Sequence, residues 1–388
     1  MKQGQNIASA HRLNQRLVLR TILMRRGIAR QNLAQITGLT PATITNITAR
    51  LITGKWIAEE GQISHPGAVG RRSIGLGIAS GTHYVAAVHL QRRVVSVGLA
   101  ELDGSLVATA VDDLEAEPDP RRTVDQVQRL LAAIIDQVQP PHLLGVGVGA
   151  SGIVDYDTAT IQIAPSYGWA NVALGEWLAE AMKVPVVLDN NARGMALAEH
   201  LLGSHRDARW LVFLYVGRGM AAGIWADGRI YRGIHGFAGE VGHTTVVPEG
   251  DLCWCKNRGC LEIYLSEDTL RRNCGASEQT SVTEVFRDAS TAVRRELVHQ
   301  MATALINVNH NHNPEVIVLG GWVDKVWPML RDPVMEEVAK RTAYWPRPLR
   351  VVSSSFGENI GLIGAAAIGL GQLVYGVGKD DGEPLPSW

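Results

Sequence analysis

Apolar residues at the front of the chain recur at helical spacing. Between His11 and Arg26 the pairs Leu13/Leu17, Val18/Ile22 and Leu19/Leu23 stand one turn apart, which predicts a helix with one buried side, ended at Gly27. A second short helix is expected over Arg30–Ile36, burying Leu33 and Ile36. Thr37-Gly38-Leu39 then reads as a tight turn, with a glycine free to take a left-handed conformation. Thr40 is placed to cap the next helix and Pro41 to open it, where a missing N–H costs nothing. Ile44, Ile47 and Leu51 turn that helix inward. Its other face carries Ala42, Thr45, Asn46 and Ala49, with Arg50 at the edge. Small side chains permit close approach and an Asn can bond an adenine edge at two atoms, so this face suits a DNA groove. Short helix, Gly turn and second helix make a helix-turn-helix; an ordinary three-helix bundle is the alternative. Trp56–Glu60 and Ile74–Ile78 read as the strands of a wing. Between them Gln62–Arg72 holds Pro66, Gly67 and Gly70 and ends in Arg71 and Arg72, suited to a narrow minor groove or else solvated linker arginines.

From Thr82 the period changes to that of strands: Tyr84–Leu90, Val94–Leu99 and Leu106–Val111, with Asp103-Gly104 as a hairpin turn. A helix over Val124–Val138 leads into a Gly-rich strand, Leu144–Ala150. The outline returns further on, with strands at Trp210–Val216, Ala222–Trp225 and Arg229–Tyr231, helical stretches from Leu261 to Asn311, and a strand at Val316–Leu319. Two similar α/β lobes facing a cleft are a common way to enclose a small molecule. The domains expected are a winged helix-turn-helix over 1–80, a first lobe over 81–190 completed by a C-terminal helix over 357–377, and a second lobe over 191–356. The tail Gly378–Trp388 reads as disordered.

With 388 residues, 46% hydrophobic and 19% charged, the chain can bury sizeable cores, which excludes a fibrous or disordered protein. No apolar run is read as reaching the ~18–20 residues of a membrane span. The N-terminal stretch has no apolar signal core, so a cytoplasmic protein without a membrane partner is expected. The net charge of −1 hides an asymmetry. Residues 1–80 hold eleven Lys/Arg and two Asp/Glu, a balance of +9, against −10 for the rest. A basic module for a polyanion attached to a body with another task is the reading this suggests.

Of the four cysteines, Cys253, Cys255 and Cys260 follow His243 closely. One His and three Cys are the donors that tetrahedral Zn²⁺ prefers, and four protein ligands leave no open position, so the site is read as structural. Buried free thiols are the alternative, and Cys274 is left over as a packed thiol. Glu240 and Glu262 flank this segment, and Asp189-Asn190-Asn191 closes a strand-like run. Carboxylates and amides in such company match the vicinal hydroxyls of a sugar, although each taken singly is also an ordinary loop or cap residue. If one His243 nitrogen binds zinc, the other can donate to a sugar hydroxyl.

Gly239-Glu-Val-Gly-His243, followed by Cys253-X-Cys255-X4-Cys260-Leu-Glu262, resembles the signature of the ROK family of repressors, open reading frames and kinases. The likeness also covers Gly217–Gly223, Ile317–Gly321 and Gly361–Gly369. With the helix-turn-helix it extends, as in the family's sugar-responsive regulators, from Arg12 to Leu373. The resemblance implies an actin-like, two-lobed body of ribonuclease-H type, homodimers or homotetramers, and a sugar in the cleft contacted by Gly152, Asn190, Asn191, Glu240, His243 and Glu262. Family kinases open the first lobe with Asp-X-Gly-Gly-Thr, whose glycines admit the phosphates of ATP. Here His89-Leu-Gln-Arg-Arg93 stands there. Kinases also place a catalytic Asp after the Asn of the sugar loop, whereas this chain has Asn191, whose amide cannot take a hydroxyl proton. The expectation is a zinc-containing, sugar-responsive repressor on palindromic double-stranded DNA, with no catalytic residues. A kinase with an added DNA-binding module, or a repressor whose effector is a protein, are the alternatives.

Overall fold

The structure, a computed structural model, describes residues 7–63 and 73–377; Arg71, Arg72 and the tail from Gly378 lie outside the described residues. The chain divides into two compact units, Met1–Gly194 with Gly361–Trp388, and Met195–Ile360.

The first unit opens with helices α1 (Ile7–Met24), α2 (Arg30–Thr37) and α3 (Pro41–Thr53). Val18, Leu19, Ile22 and Leu23 of α1 are buried against Leu33 of α2 and Ile44, Ile47 and Leu51 of α3, the three-residue and four-residue spacing being what puts them on one side of each helix. Leu13 and Ile36 are exposed, contrary to expectation, Ile36 to 48%. The eight-residue α2 buries only Leu33, and Ile36 lies in its last turn beyond that contact. Gly38 ends α2 at φ 70°, and the Thr40 hydroxyl accepts a hydrogen bond from the Thr43 N–H to cap α3. A sheet of order β1-β3-β2 forms the wing: β2 (Ile57–Ile63) pairs antiparallel with β3 (Ser73–Ile78), and β1 (Ile28–Ala29), too short to show in the sequence pattern, pairs on the other side. The wing is tied down where the Trp56 ring stacks on His83 at 4.0 Å and the His83 Nε2 lies 2.8 Å from the Gly54 carbonyl.

The body of this unit is built on β4 (His83–Gln91), β5 (Val94–Glu101), β6 (Leu106–Asp113), β7 (His142–Ala150) and β11 (Val186–Asn190), in the order β11-β7-β4-β5-β6. Helices α4 (Pro120–Val138) and α5 (Leu174–Met182) join them. A three-stranded sheet of β8 (Ile153–Asp155), β9 (Thr160–Ala164) and β10 (Trp169–Val172) follows β7. Val146 and Val148 of β7 point into the core with Val127, Leu131 and Ile134 of α4. The intervening glycines form the opposite face, and there the closing helix Ile360–Leu370 lies on the strand. A Cβ at Gly147 would meet the Ala365 carbonyl and the Gly369 backbone. The Gly-X-Gly alternation of β7 is therefore a packing requirement of that helix.

Helix α6 (Asn191–Leu201) carries the chain into the second unit. Its sheet contains β12 (Trp210–Val216), β13 (Met220–Ala226), β14 (Arg229–Ile230), β15 (Val316–Gly321) and β16 (Val351–Ser353), in the order β14-β13-β12-β15-β16. Counted within each sheet, the order third, second, first, fourth, fifth is the same in both units, with the first, fourth and fifth strands parallel to one another. Between β14 and β15 come α7 (Glu262–Leu265), α8 (Glu267–Cys274), α9 (Val282–Asp288) and α10 (Thr291–His312), and α11 (Trp322–Arg341) leads to β16. Val212 and Leu214 pack with Met301, Leu305, Val323 and Val326.

One stretch corrects the reading of apolar runs. Gly357–Tyr375 is long and apolar enough, by length and composition, to cross a membrane, yet 67% of it is buried within the protein. Ala365 and Gly369 of this stretch seat it against Gly147 of β7.

Candidate functional site

The outward face of α3 is as expected: Ala42, Thr45, Asn46, Ala49 and Arg50 are all exposed. The Thr45 hydroxyl donates to the Pro41 carbonyl at 2.9 Å, so toward a partner it acts as an acceptor. The Arg50 Nη1 lies 3.5 Å from the His11 Nε2. Arg30 stays off this face, bonding the Thr48 hydroxyl at 3.1 Å and Glu59 at 3.0 Å, and so joins α2, α3 and the wing.

In the second unit, His243, Cys253, Cys255 and Cys260 present ligand atoms that all lie within 4.8 Å of one another. The chain folds back on itself to do this. The Val246 N–H donates to the Gly259 carbonyl, the Leu261 N–H to Thr244 and the Cys253 N–H to Asn257. Gly259 takes φ 70°, and a Cβ there would strike the Val247 carbonyl. The Cys253 sulfur is 3.7 Å from the His243 Nδ1, and the Cys255 and Cys260 sulfurs are 3.6 Å apart. A tetrahedral ion with bonds of about 2.3 Å to sulfur and about 2.0 Å to nitrogen has edges of roughly 3.5–3.8 Å, and these two separations match it. Burial, reinforced by the Cys255 and Cys253 thiols, pushes Cys260 up to about 12. A dication among the sulfurs reverses that by favouring thiolates. The cluster could hold a metal ion.

Glu240 sits half-buried at the start of the 3₁₀ turn Val241–His243. Glu262 is only 7% exposed, and both its oxygens are engaged: Oε2 accepts from the Met220 N–H at 2.8 Å and Oε1 from the Trp254 indole N–H at 2.7 Å. The Trp254 ring stands edge-on to His243 at 4.7 Å. Trp254 was not singled out in the sequence, although a large aromatic between two clustered cysteines is a legible signal.

Gly152, Asn190 and Asn191 come together in the first unit. The Asn190 amide donates to the Gly152 carbonyl at 2.9 Å, and its oxygen accepts from the Ala192 N–H at the start of α6. The Asn191 Nδ2 donates to the Leu90 carbonyl at 3.0 Å and the Ser151 hydroxyl at 3.3 Å, while its buried Oδ1 has no partner. The neighbouring Asp189 is paired with Arg193 at 2.9 Å, both buried. Where a kinase would have its first glycine loop, Gln91 and Val94 pair directly and Arg92-Arg93 form a tight turn, Arg93 at φ 67°. His89, on the strand before it, is buried, and burial lowers its imidazole to about 4. In the second unit the Gly217–Gly223 segment presents Arg218, which is ion-paired with Asp268 and Glu278.

Residues 94–371 match the ROK family. The chain belongs to the ROK family. A xylose repressor of Caldicellulosiruptor bescii is 28% identical over 331 residues, covering 79% of this chain and 82% of that protein. The DNA-binding transcriptional dual regulator NagC of Escherichia coli is 34% identical over 263 residues, 66% of this chain and 63% of that one. Among solved structures, an ROK family transcriptional regulator, a homolog of the E. coli MLC protein, superposes with a TM-score of 0.79 at 26% identity, over 93% of this chain and 96% of its own. An ROK glucokinase of Streptomyces griseus, solved with glucose and AMPPNP, reaches 0.62 at 24% identity over 73% of this chain and 98% of its own. The ROK body thus has the actin-like, ribonuclease-H-type fold, and it carries a helix-turn-helix module in front. The family includes sugar kinases as well as repressors.

Proposed function

We propose that this ROK protein is a cytoplasmic transcriptional repressor of carbohydrate-utilisation genes whose affinity for a palindromic operator is set by a sugar. The observation that carries the reading is the winged module, with the small, exposed face of α3 presented outward, on the same chain as an ROK body. The similarity to an ROK regulator over 93% of the chain supports it, since that match extends beyond the portion shared with the glucokinase. A homodimer or homotetramer would present its reading helices in pairs, which is why the operator is expected to be palindromic.

The sugar contacts proposed are Glu240, His243, Glu262, Gly152, Asn190 and Asn191. Zinc is the proposed metal and its role structural: it would fix the imidazole through Nδ1 and leave Nε2 for a hydroxyl. Arg71 and Arg72 are proposed to add minor-groove contacts. A sugar shifts operator affinity only by preferring one arrangement of the protein over another, because a ligand with equal affinity for both changes nothing.

Absence of kinase activity is part of the proposal. Asn191 offers an amide where a base would be needed, and its nitrogen is already held by Leu90 and Ser151. The test selects operators from random DNA and then titrates the bound complex with xylose, glucose and N-acetylglucosamine. A palindromic site released at least tenfold by one sugar, with no ADP formed from ATP and that sugar, is expected. Sugar-dependent ADP formation would make the protein a kinase, and a site indifferent to every sugar would favour a protein effector.

A further inference from the structure

We infer that Trp254 is a specificity-determining gate, its indole N–H standing in for one sugar hydroxyl on Glu262. The inference rests on the proposed sugar reading of Glu262 and His243 and goes beyond it by naming what the sugar must displace.

Glu262 has two oxygens with partners of different kinds. Oε2 accepts from the backbone N–H of Met220, the first residue of β13, which cannot leave without disrupting the strand. Oε1 accepts from an indole on a side chain that is 57% exposed. So large a ring left in water needs a restraint, and three are present. Trp254 is flanked by Cys253 and Cys255, both in the His/Cys cluster, and its N–H makes a hydrogen bond to a carboxylate, the stronger kind. Its ring also makes a T-shaped contact with His243 at 4.7 Å. One aromatic side chain therefore touches two of the proposed sugar contacts.

A sugar hydroxyl that uses Oε1 must first take over the bond the indole makes. Binding is then an exchange of one donor for another, and the measured affinity is the intrinsic one multiplied by the fraction of molecules in which the indole has left Oε1. A sugar with no hydroxyl to offer there leaves the indole where it is. The displaced ring can lie against the C–H face of the bound sugar, since its apolar body and polar edge are separate surfaces.

Trp254→Phe keeps a ring of similar shape and removes the N–H. Calorimetric titration of the variant with xylose, glucose and N-acetylglucosamine should show the effective sugar bound about three- to tenfold more tightly than by wild type. In protein labelled with 5-fluorotryptophan, one of the ten tryptophan resonances should move as that sugar is added to wild type, and the moving resonance should be the one missing from the variant. Trp254→Leu serves if the Phe variant does not fold, and the wild-type titration stands by itself. Unchanged affinity together with an unmoved resonance, in a protein that still binds the sugar, overturns the gate and leaves the sugar reading intact. Weaker binding by the variant makes Trp254 a platform and also overturns it. Wild type that binds none of the sugars removes both readings together.

Discussion

His89 shows how one buried side chain can set the response of the fold to acid. It lies on β4 opposite Gly149 of β7, beneath Gly361 of the closing helix, where a Cβ would touch the imidazole. Its Nε2 has no partner, and burial holds its pKa at about 4. The folded value lies below the ordinary one of ~6.5, so on acidification the unfolded chain takes up the proton first. The stability His89 confers is complete above about pH 6.5 and lost as the pH falls toward 4, with a limit of about 3 kcal/mol. His83, His205 and His312 are lowered by burial too, so their contributions have the same sign. Urea unfolding at pH 7.5 and pH 5.0 should show wild type losing stability and His89→Gln losing less. An identical loss in both would show that the His89 proton is not coupled to folding. Nothing in the pattern of β4 distinguished this histidine, because every residue from His83 to Leu90 is buried and the strand has no polar face against which to notice it.

At the scale of elements, the segment from Gly239 to Glu262 depends on what holds its turns. It has two isolated bridges, Thr245 with Cys260 and Leu252 with Arg258, and a set of single turn bonds, so a metal ion would supply its main cross-link. Chelation at neutral pH should release about one Zn²⁺ per chain and abolish the sugar response, while the α-helical and β-sheet signal elsewhere is retained. Protein that carries no metal when purified and still responds to sugar would contradict this. The clustering of His243 with the three cysteines was legible because all four fall within eighteen residues of the chain. The recognition helix was legible because its cap, its proline and its buried triad agree. Other elements were hidden for identifiable reasons. Helix α4 begins at Pro120, four residues before the first apolar residue that signalled it, since an Asp119 cap and a polar first turn carry no periodicity. Helix α11 contains Pro328 and Pro333, which read as breaks. Strands β8 to β10 are three to five residues long, below the length at which alternation is visible.

For the whole molecule, the charge asymmetry is the quantity that DNA binding should report, and the fold reduces how much of it is available. Among the described residues of the front module, Arg16 is buried and Arg30 is bonded to Glu59, and Arg26 lies 3.6 Å from Asp103 of the body. Arg25, Arg50 and Lys55 are exposed. Each phosphate neutralised releases counterions and adds about −0.9 to the slope of log affinity against log salt, so a +9 module used in full would give about −8 per protomer. With its cations partly committed, a slope between about −3 and −5 per protomer is expected. Two substitutions on α3 separate the contributions further. Arg50→Ala should weaken binding to all sequences alike and make the slope shallower by about 1. Asn46→Ala should leave the slope unchanged and cost about 1–3 kcal/mol on the selected operator alone, because an amide reads base edges and releases no counterion. Anisotropy titrations on the operator and on scrambled DNA, at salt concentrations from 50 to 300 mM as about the useful range, distinguish the two effects. If Asn46→Ala lowered affinity equally for both DNAs, the exposed face of α3 would be gripping the backbone, and sequence would have to be read by the wing.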